Sequence, residues 1–200
     1  MNVRCMRHED IDGVIALQRA CFPEPFPEEA LWQRHHLEAH LSKMPGCQFV
    51  IEQGDLIIGS ASACRIPSAT WEAHLPWEQT LGGFTFDAAD PDGPTLYGAD
   101  ISVHPDFRGR GVARLLYHAR FDFVRENNMD RYGTACRIPD CQVSGLDPSR
   151  FAQAVADGTL TDRTMTPLLR MGLTFLGVIE NYMEDDESLH AAALLEWRPS

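Results

Sequence analysis

Apolar and polar positions along this chain fall into two periods, and together they predict the order of its elements. "NVRCMR" opens as a first strand, and Asp10 can cap a helix that turns Ile11, Val14 and Ile15 inward before Pro23 and Pro25. "PEEALWQRHHLEAHL" predicts a second helix, with Pro27 and two acids in its first turn. "QFVIE" and "LIIGSASACR" flank the turn "QGD" and read as a hairpin. "LYGADISV" is a strand, and Val112, Leu115, Leu116, Ala119 and Phe123 mark one face of a helix ending near Asn127 and Asn128. "RYGTAC" resumes as a strand, which completes a β-α-β unit with parallel strands and a right-handed crossover.

Two segments interrupt this order. Residues 66–95, rich in Trp, Gly, Pro and Asp, show no clear periodicity, and a connection of that length predicts a lid-like segment. Residues 138–163 form a helical insertion, in which Asp147 and Pro148 start a short helix that Gly158 ends. "DRTMTPLLRMG" is weakly helical with Pro167 as an expected kink, and "LTFLGVIENYM" and "LHAAALLEW" close the chain as strands joined by "EDDES". The sum is a single α/β (α+β) domain over residues 1–200, with a central mixed sheet of about seven strands and helices on both faces.

Composition narrows the setting. Apolar residues make up 44% of 200 and charged residues 23%, ordinary values for one folded domain. No run approaches the roughly 18 apolar residues of a membrane span, and the N-terminus turns charged before a signal-type apolar region develops. Six cysteines at 5, 21, 47, 64, 136 and 141 form no C-x-x-C pair, so reduced thiols and a cytoplasmic location are expected. The formal net charge of -12 argues against general nucleic-acid binding, and an acidic surface suits a cationic partner or mere solubility.

Against that acidic background "VHPDFRGRGVA", residues 103 to 113, concentrates arginine and bare backbone at a strand-to-helix junction. Free amide groups at a helix start carry partial positive charge. Gly109, Gly111 and Ala113 let an anion approach those amides, and Arg108 and Arg110 can add charge-assisted hydrogen bonds. The stretch lacks G-K-S/T and is not G-x-G-x-x-G, so neither a Walker loop nor a dinucleotide turn is expected. A phosphate-bearing ligand is.

Arg108-x-x-Gly111-x-Ala113 after "ISVHPDF" resembles the Gln/Arg-x-x-Gly-x-Gly/Ala signature of the GNAT superfamily of acyl-coenzyme A dependent N-acyltransferases, and the order of elements matches across nearly the whole chain. The longer text "TLYGADISVHPDFRGRGVARLLYHAR", with "RIP", "NY" and "AALLEW", resembles GNAT modules fused to carbon-nitrogen hydrolase (nitrilase-like) domains. The resemblance implies acetyl-coenzyme A as acyl donor, with no metal. It implies that the backbone of Ile101, Ser102 and Val103 pairs with the pantetheine arm. The amides of Gly109, Arg110, Gly111, Val112, Ala113 and Arg114, with Arg108, would hold the pyrophosphate. It further implies a splayed strand pair, after Val103 and before Arg131, and chemistry near residues 97–101 and 136–141. The expected reaction is transfer of an acetyl group to a primary amine by direct attack. A coenzyme A sensor with little catalysis is the alternative.

Asp100 lies on the strand where many family members keep an acidic residue acting on the amine, which makes it the candidate base. The family's usual leaving-group tyrosine, four residues before the glycine that ends the late helix, is Leu168 here, ahead of Gly172. Tyr182, Tyr97, Tyr132 and Cys141 are substitutes by type, and Tyr182 is put forward with Asp100. Relatives favour "RIPG" where this chain has "RIPDC", which places Asp140 and Cys141 at the acceptor pocket. His36 and His40 have metal-ligand spacing but lack the glutamate of H-E-x-x-H, so no metal is expected. His104 beside Pro105 reads as a strand-end anchor. The partners implied are a small-molecule or peptide amine acceptor, no nucleic acid and no membrane, with a homodimer compatible with all of this.

Overall fold

The extended runs close into one sheet in the computed structural model, which describes residues 2–199. Its strands are β1 (Val3–Cys5), β2 (Gln48–Gln53), β3 (Leu56–Ile66), β4 (Thr95–Val103), β5 (Arg131–Arg137), β6 (Thr174–Ile179) and β7 (Ala192–Trp197), in the spatial order β1-β2-β3-β4-β5-β7-β6. Only β4 and β5 run parallel; every other neighbouring pair is antiparallel. A strand-helix-strand crossover needs that arrangement, and the intervening helix is α5 (Val112–Glu126).

Alternation along β2 assigns the two faces. Val50 belongs to the same apolar cluster as Ile11, Val14 and Leu17 of α1 (Ile11–Cys21), while its neighbours Phe49 and Ile51 belong to the cluster of Val112 and Leu116 of α5. Residues at consecutive strand positions point oppositely, so α1 and α5 cover opposite faces. The buried stripe of α5 is Val112, Leu116, Tyr117, Arg120, Phe121 and Val124. Leu115, Ala119 and Phe123, expected at its centre, are only half-buried at its margin. A charged residue belongs to the stripe, and apolar periodicity alone passes over it.

The second helix is shorter than its spacing predicts. A 3-10 turn at Glu28–Ala30 is followed by extended Leu31, and α2 covers Arg34–Lys43. The break follows from a competing partner: the Trp32 amide donates to Gln18 Oε1 at 2.6 Å instead of to a helical carbonyl. That bond places the Trp32 indole among His36, His40, Trp77, Phe84 and Phe86.

Residues 66–95 contain two short helices, α3 (Ser68–Glu72) and α4 (Trp77–Leu81), and bury Trp71, Leu81 and Phe86. The insertion comprises α6 (Cys141–Ser144) and α7 (Pro148–Ala156). Asp147 caps α7 as its sequence predicts, accepting from the Arg150 amide at 3.0 Å. Pro167 does not kink α8 (Met165–Arg170), because it falls in the first turn, where the missing amide hydrogen has no helical partner to lose. No helix among the described residues is long and apolar enough to cross a membrane.

Candidate active site

Two features of β4 create a cleft. Its pairing with β5 extends only over Thr95 with Arg131, Leu96 with Tyr132 and Tyr97 with Gly133; beyond Tyr97 the two strands part. One residue later β4 bulges: Gly98 pairs with Ala63 and Asp100 with Ser62, leaving Ala99 as the extra residue. The extra residue reverses which face the following side chains take. A Cβ on Gly98 would meet the Tyr132 hydroxyl, on the α5 face, at 2.1 Å. Asp100, two residues on, instead accepts from Gln18 Nε2 of α1 at 3.4 Å. Without the bulge both would face α5.

Side chains satisfy the carbonyls around this irregular stretch. Thr134 Oγ1 donates to Gly98 O at 3.2 Å and Trp77 Nε1 to Ala99 O at 3.1 Å. Arg120 donates to Ser62 O at 2.8 Å and also to Asp100 O. The ladder is therefore interrupted without orphaned carbonyls at these four positions.

The Asp100 carboxylate is half-buried and also accepts from Ser102 Oγ at 3.3 Å. Burial pushes its carboxyl up from the ordinary 3.8, opposed by the Arg120 charge and by the hydrogen bonds it accepts. The Trp32 indole N-H lies towards it without completing a hydrogen bond of ordinary geometry. A carboxyl raised by burial and set beside a cleft is a candidate for proton transfer.

The strand-to-helix junction lies past the end of β4. Gly109 and Gly111 have φ of +73° and +82°, a left-handed backbone that favours glycine, and nothing lies within 4 Å of a Cβ built on either. The first amide of the turn with a backbone partner is that of Leu115, on Gly111 O at 3.1 Å. Among the described residues the amides of 109 to 114 ahead of it have none. Helix α5 starts at Val112, so half of these amides belong to the turn. Arg108, Arg110, Ala113 and Arg114 are exposed around them, and the Arg110 guanidinium lies 5.2 Å from the Phe107 ring centroid. Open amides and exposed cations fit a pyrophosphate.

Ile101, Ser102 and Val103 complete β4 towards this turn. Ser102 is buried, and Val103 O accepts from both Arg108 Nε and Cys21 Sγ, each at 3.2 Å. A pantetheine amide pairing with that carbonyl would displace the Arg108 side chain, which is free to move into solvent.

The acid candidates are all engaged elsewhere. Tyr182 and Tyr97 share a hydrogen bond of 2.7 Å between their hydroxyls, both buried. Tyr132 Oη accepts from Arg120 at 3.0 Å, and the buried Cys141 thiol donates weakly to Leu146 O at 3.7 Å. Burial pushes all four up from their ordinary values. Leu168, at the family's tyrosine position, is 2% exposed and belongs to the core. Asp140 receives the Arg163 amide at 2.8 Å, and its own amide donates to Asp162. His40 stacks on Phe86 at 3.7 Å, and its Nε2 lies 2.7 Å from Phe84 O, an arrangement that burial keeps neutral by lowering the imidazole to about 4. His104 Nδ1 accepts from the Asp106 amide at 3.3 Å and so anchors the strand end. Sequence reasoning missed Gln18, Trp32 and Arg120, which no motif marks.

Comparison with known proteins agrees with this geometry. The profile of the Acetyltransferase (GNAT) family matches residues 11–143. The chain is 30% identical over 200 residues to the uncharacterized N-acetyltransferase YkwB of Bacillus subtilis (strain 168), covering 99% of this chain and 88% of that one. Among solved structures, the loading GNATL domain of CurA from Lyngbya majuscula superposes with a TM-score of 0.83 at 17% identity, over 98% of this chain and 96% of the other. The GphF GNAT-like decarboxylase in complex with isobutyryl-CoA does so at 0.78 and 21%, over 99% of each. The splayed parallel pair, the bulge and the open glycine turn are thus set in a chain that belongs to the GNAT acetyltransferase family and is an acyltransferase using coenzyme A as acyl carrier.

Proposed function

We propose that this protein transfers an acetyl group from acetyl-coenzyme A to a primary amine, on a small molecule or a peptide, by direct attack, with Asp100 as the base. The observation that supports it is the position of Asp100, turned by the Ala99 bulge into the cleft that opens where β4 leaves β5. The bound donor supplies an acyl carbon already activated as a thioester.

The residues of this chain do the rest. The amides of residues 109 to 114, with Arg108 and Arg110, hold the pyrophosphate, and the β4 backbone at Ile101, Ser102 and Val103 aligns the arm that leads to the cleft. An arriving amine is mostly ammonium at neutral pH. Asp100, directly or through one water, takes its proton and leaves a nucleophile with a lone pair. Trp32 and Trp77, with ring centroids 6.0 Å apart, wall this side and limit water. With the phenols of Tyr97, Tyr132 and Tyr182 all committed, solvent protonates the departing thiolate. Six free cysteines agree with a cytoplasmic setting.

The buried Leu168 favours a second reading, a coenzyme A sensor that lacks a leaving-group acid. One assay separates the two: thiol release from acetyl-coenzyme A over a panel of polyamines, amino-acid esters and short peptides. Acceptor-dependent release supports the enzyme. Tight binding with no release from any amine supports the sensor.

A further inference from the structure

Arg120 is a buried cation whose polar contacts are all to neutral groups. It rises from the middle of α5 with 1% exposure. Nη1 meets Tyr132 Oη at 3.0 Å, Nη2 meets Ser62 O at 2.8 Å as well as Asp100 O, and Nε has no partner. The rings of Tyr117 and Tyr132 lie 5.4 and 5.6 Å from its guanidinium carbon. A buried charge without a bonded counter-ion is costly, and an apolar residue here would continue the stripe of α5 at less cost.

Its contacts show what the cost maintains. Ser62 and Asp100 are register partners across β3 and β4, at the first pair after the bulge, and one guanidinium nitrogen bonds both carbonyls. The planar guanidinium holds both carbonyls through Nη2 and Tyr132 through Nη1 in one fixed geometry, which the single nitrogen of a lysine does not reproduce. We propose that Arg120 is a positioning residue for acyl transfer, fixing the bulge that turns the Asp100 side chain towards the acceptor. The inference rests on Asp100 being the base. The Arg120 charge also favours the ionised carboxylate, together with Ser102 and Gln18; Cys21 and Tyr117 are the other titratable groups close enough to feel Asp100.

The test uses the full chain with Arg120→Lys, Arg120→Gln, Asp100→Asn and the Arg120→Lys/Asp100→Asn double variant. Turnover is measured with the best amine of the panel, and the Asp100 carboxyl is titrated by carbon NMR with acetyl-coenzyme A bound. Arg120→Lys keeps the charge but not the fork, so kcat falls by about tenfold to a hundredfold while coenzyme A affinity stays within about twofold. On an Asp100→Asn background the same change costs no further rate. Arg120→Gln moves the carboxyl titration up by about one unit. A purely structural Arg120 gives the opposite pattern, equal fold-losses from the lysine change on both backgrounds, which overturns the inference even if Arg120→Gln fails to fold, since the lysine cycle alone decides. Full rate in Asp100→Asn overturns the base assignment and the inference with it. Loss of rate in Asp100→Asn combined with equal lysine losses overturns the inference alone.

Discussion

Tyr97 and Tyr182, 85 positions apart in sequence, bring their hydroxyls to 2.7 Å in an interior that screens both rings. Each phenol is the other's polar partner, and burial holds both protonated. A phenol so placed stabilises the join between β4 and the β6–β7 loop more readily than it protonates a thiolate. Tyr182→Phe is therefore expected to keep kcat within about threefold and to cost about 1 kcal/mol of stability, the net value of one hydrogen bond. Steady-state thiol release and urea denaturation check the two parts. A loss above tenfold in kcat with unchanged stability would restore Tyr182 as the acid.

Coenzyme A binding should depend on Gly111 more than on either arginine of the turn. Gly111 sits at φ +82°, where a β-branched side chain is strained, and its neighbouring amides are the ones left open. Arg108 and Arg110 are exposed and can substitute for each other in charge. Calorimetric titration should show Gly111→Val losing at least about tenfold in affinity, against about threefold or less for Arg110→Ala. Equal affinities for the valine variant and the unaltered protein would move the pyrophosphate elsewhere.

Asp100→Asn should lower kcat with little change in coenzyme A affinity, because the carboxylate faces Gln18 of α1 and not the glycine turn. Burial raises its pKa, so activity should rise with pH through a limb above the ordinary carboxylate value of 3.8. The asparagine variant should lose that limb. An unaltered rate across roughly pH 6 to 9 removes Asp100 from the mechanism.

Much of the fold was legible because the strands are short apolar runs, continuous where the sheet is buried on both faces, and glycine stands where backbone must turn. All seven strands fall on such runs, and the open turn at Gly109 and Gly111 follows from residue type alone. What was hidden involves partners distant in sequence. The break before α2 exists because Gln18 takes the Trp32 amide, a contact across 14 positions that helical spacing cannot register. The bulge at Ala99 depends on Ser62 and Arg120, neither near it in sequence. Arg120 itself, counted as polar, is assigned to solvent by any hydropathy pattern.

The segment 66–95 is expected to order further when donor and acceptor bind. Its two helices are only five residues each, too short to hold alone, and Gly82 and Gly83 follow the second at φ +72° and +90°. Trp77 touches the bulge through Ala99 O, so the segment is mechanically joined to the cleft. Hydrogen exchange with and without acetyl-coenzyme A plus an accepted amine should show added protection around residues 77–86. Equal protection in both states makes the segment a fixed wall.

The stability of the fold should depend on pH through Asp10. Asp10, expected to cap α1 directly, instead accepts the Arg7 amide at 2.7 Å and a two-pronged contact from Arg4 at 2.7 and 2.8 Å, which ties β1 to the start of the helix. The Arg4 guanidinium holds this buried carboxyl below its ordinary 3.8. A carboxyl depressed in the folded state binds its proton more weakly there than in the unfolded chain. Its contribution is thus complete above the unfolded value and is lost as pH falls through the folded one. Asp10→Asn should cost about 1.5–3 kcal/mol at neutral pH, the range for hydrogen bonds to a charged group. That cost should shrink steadily as pH falls below about 4. Urea denaturation of both proteins at pH 7 and at pH 3 measures the difference, and a gap that stays constant between them means that the charge on Asp10 contributes nothing.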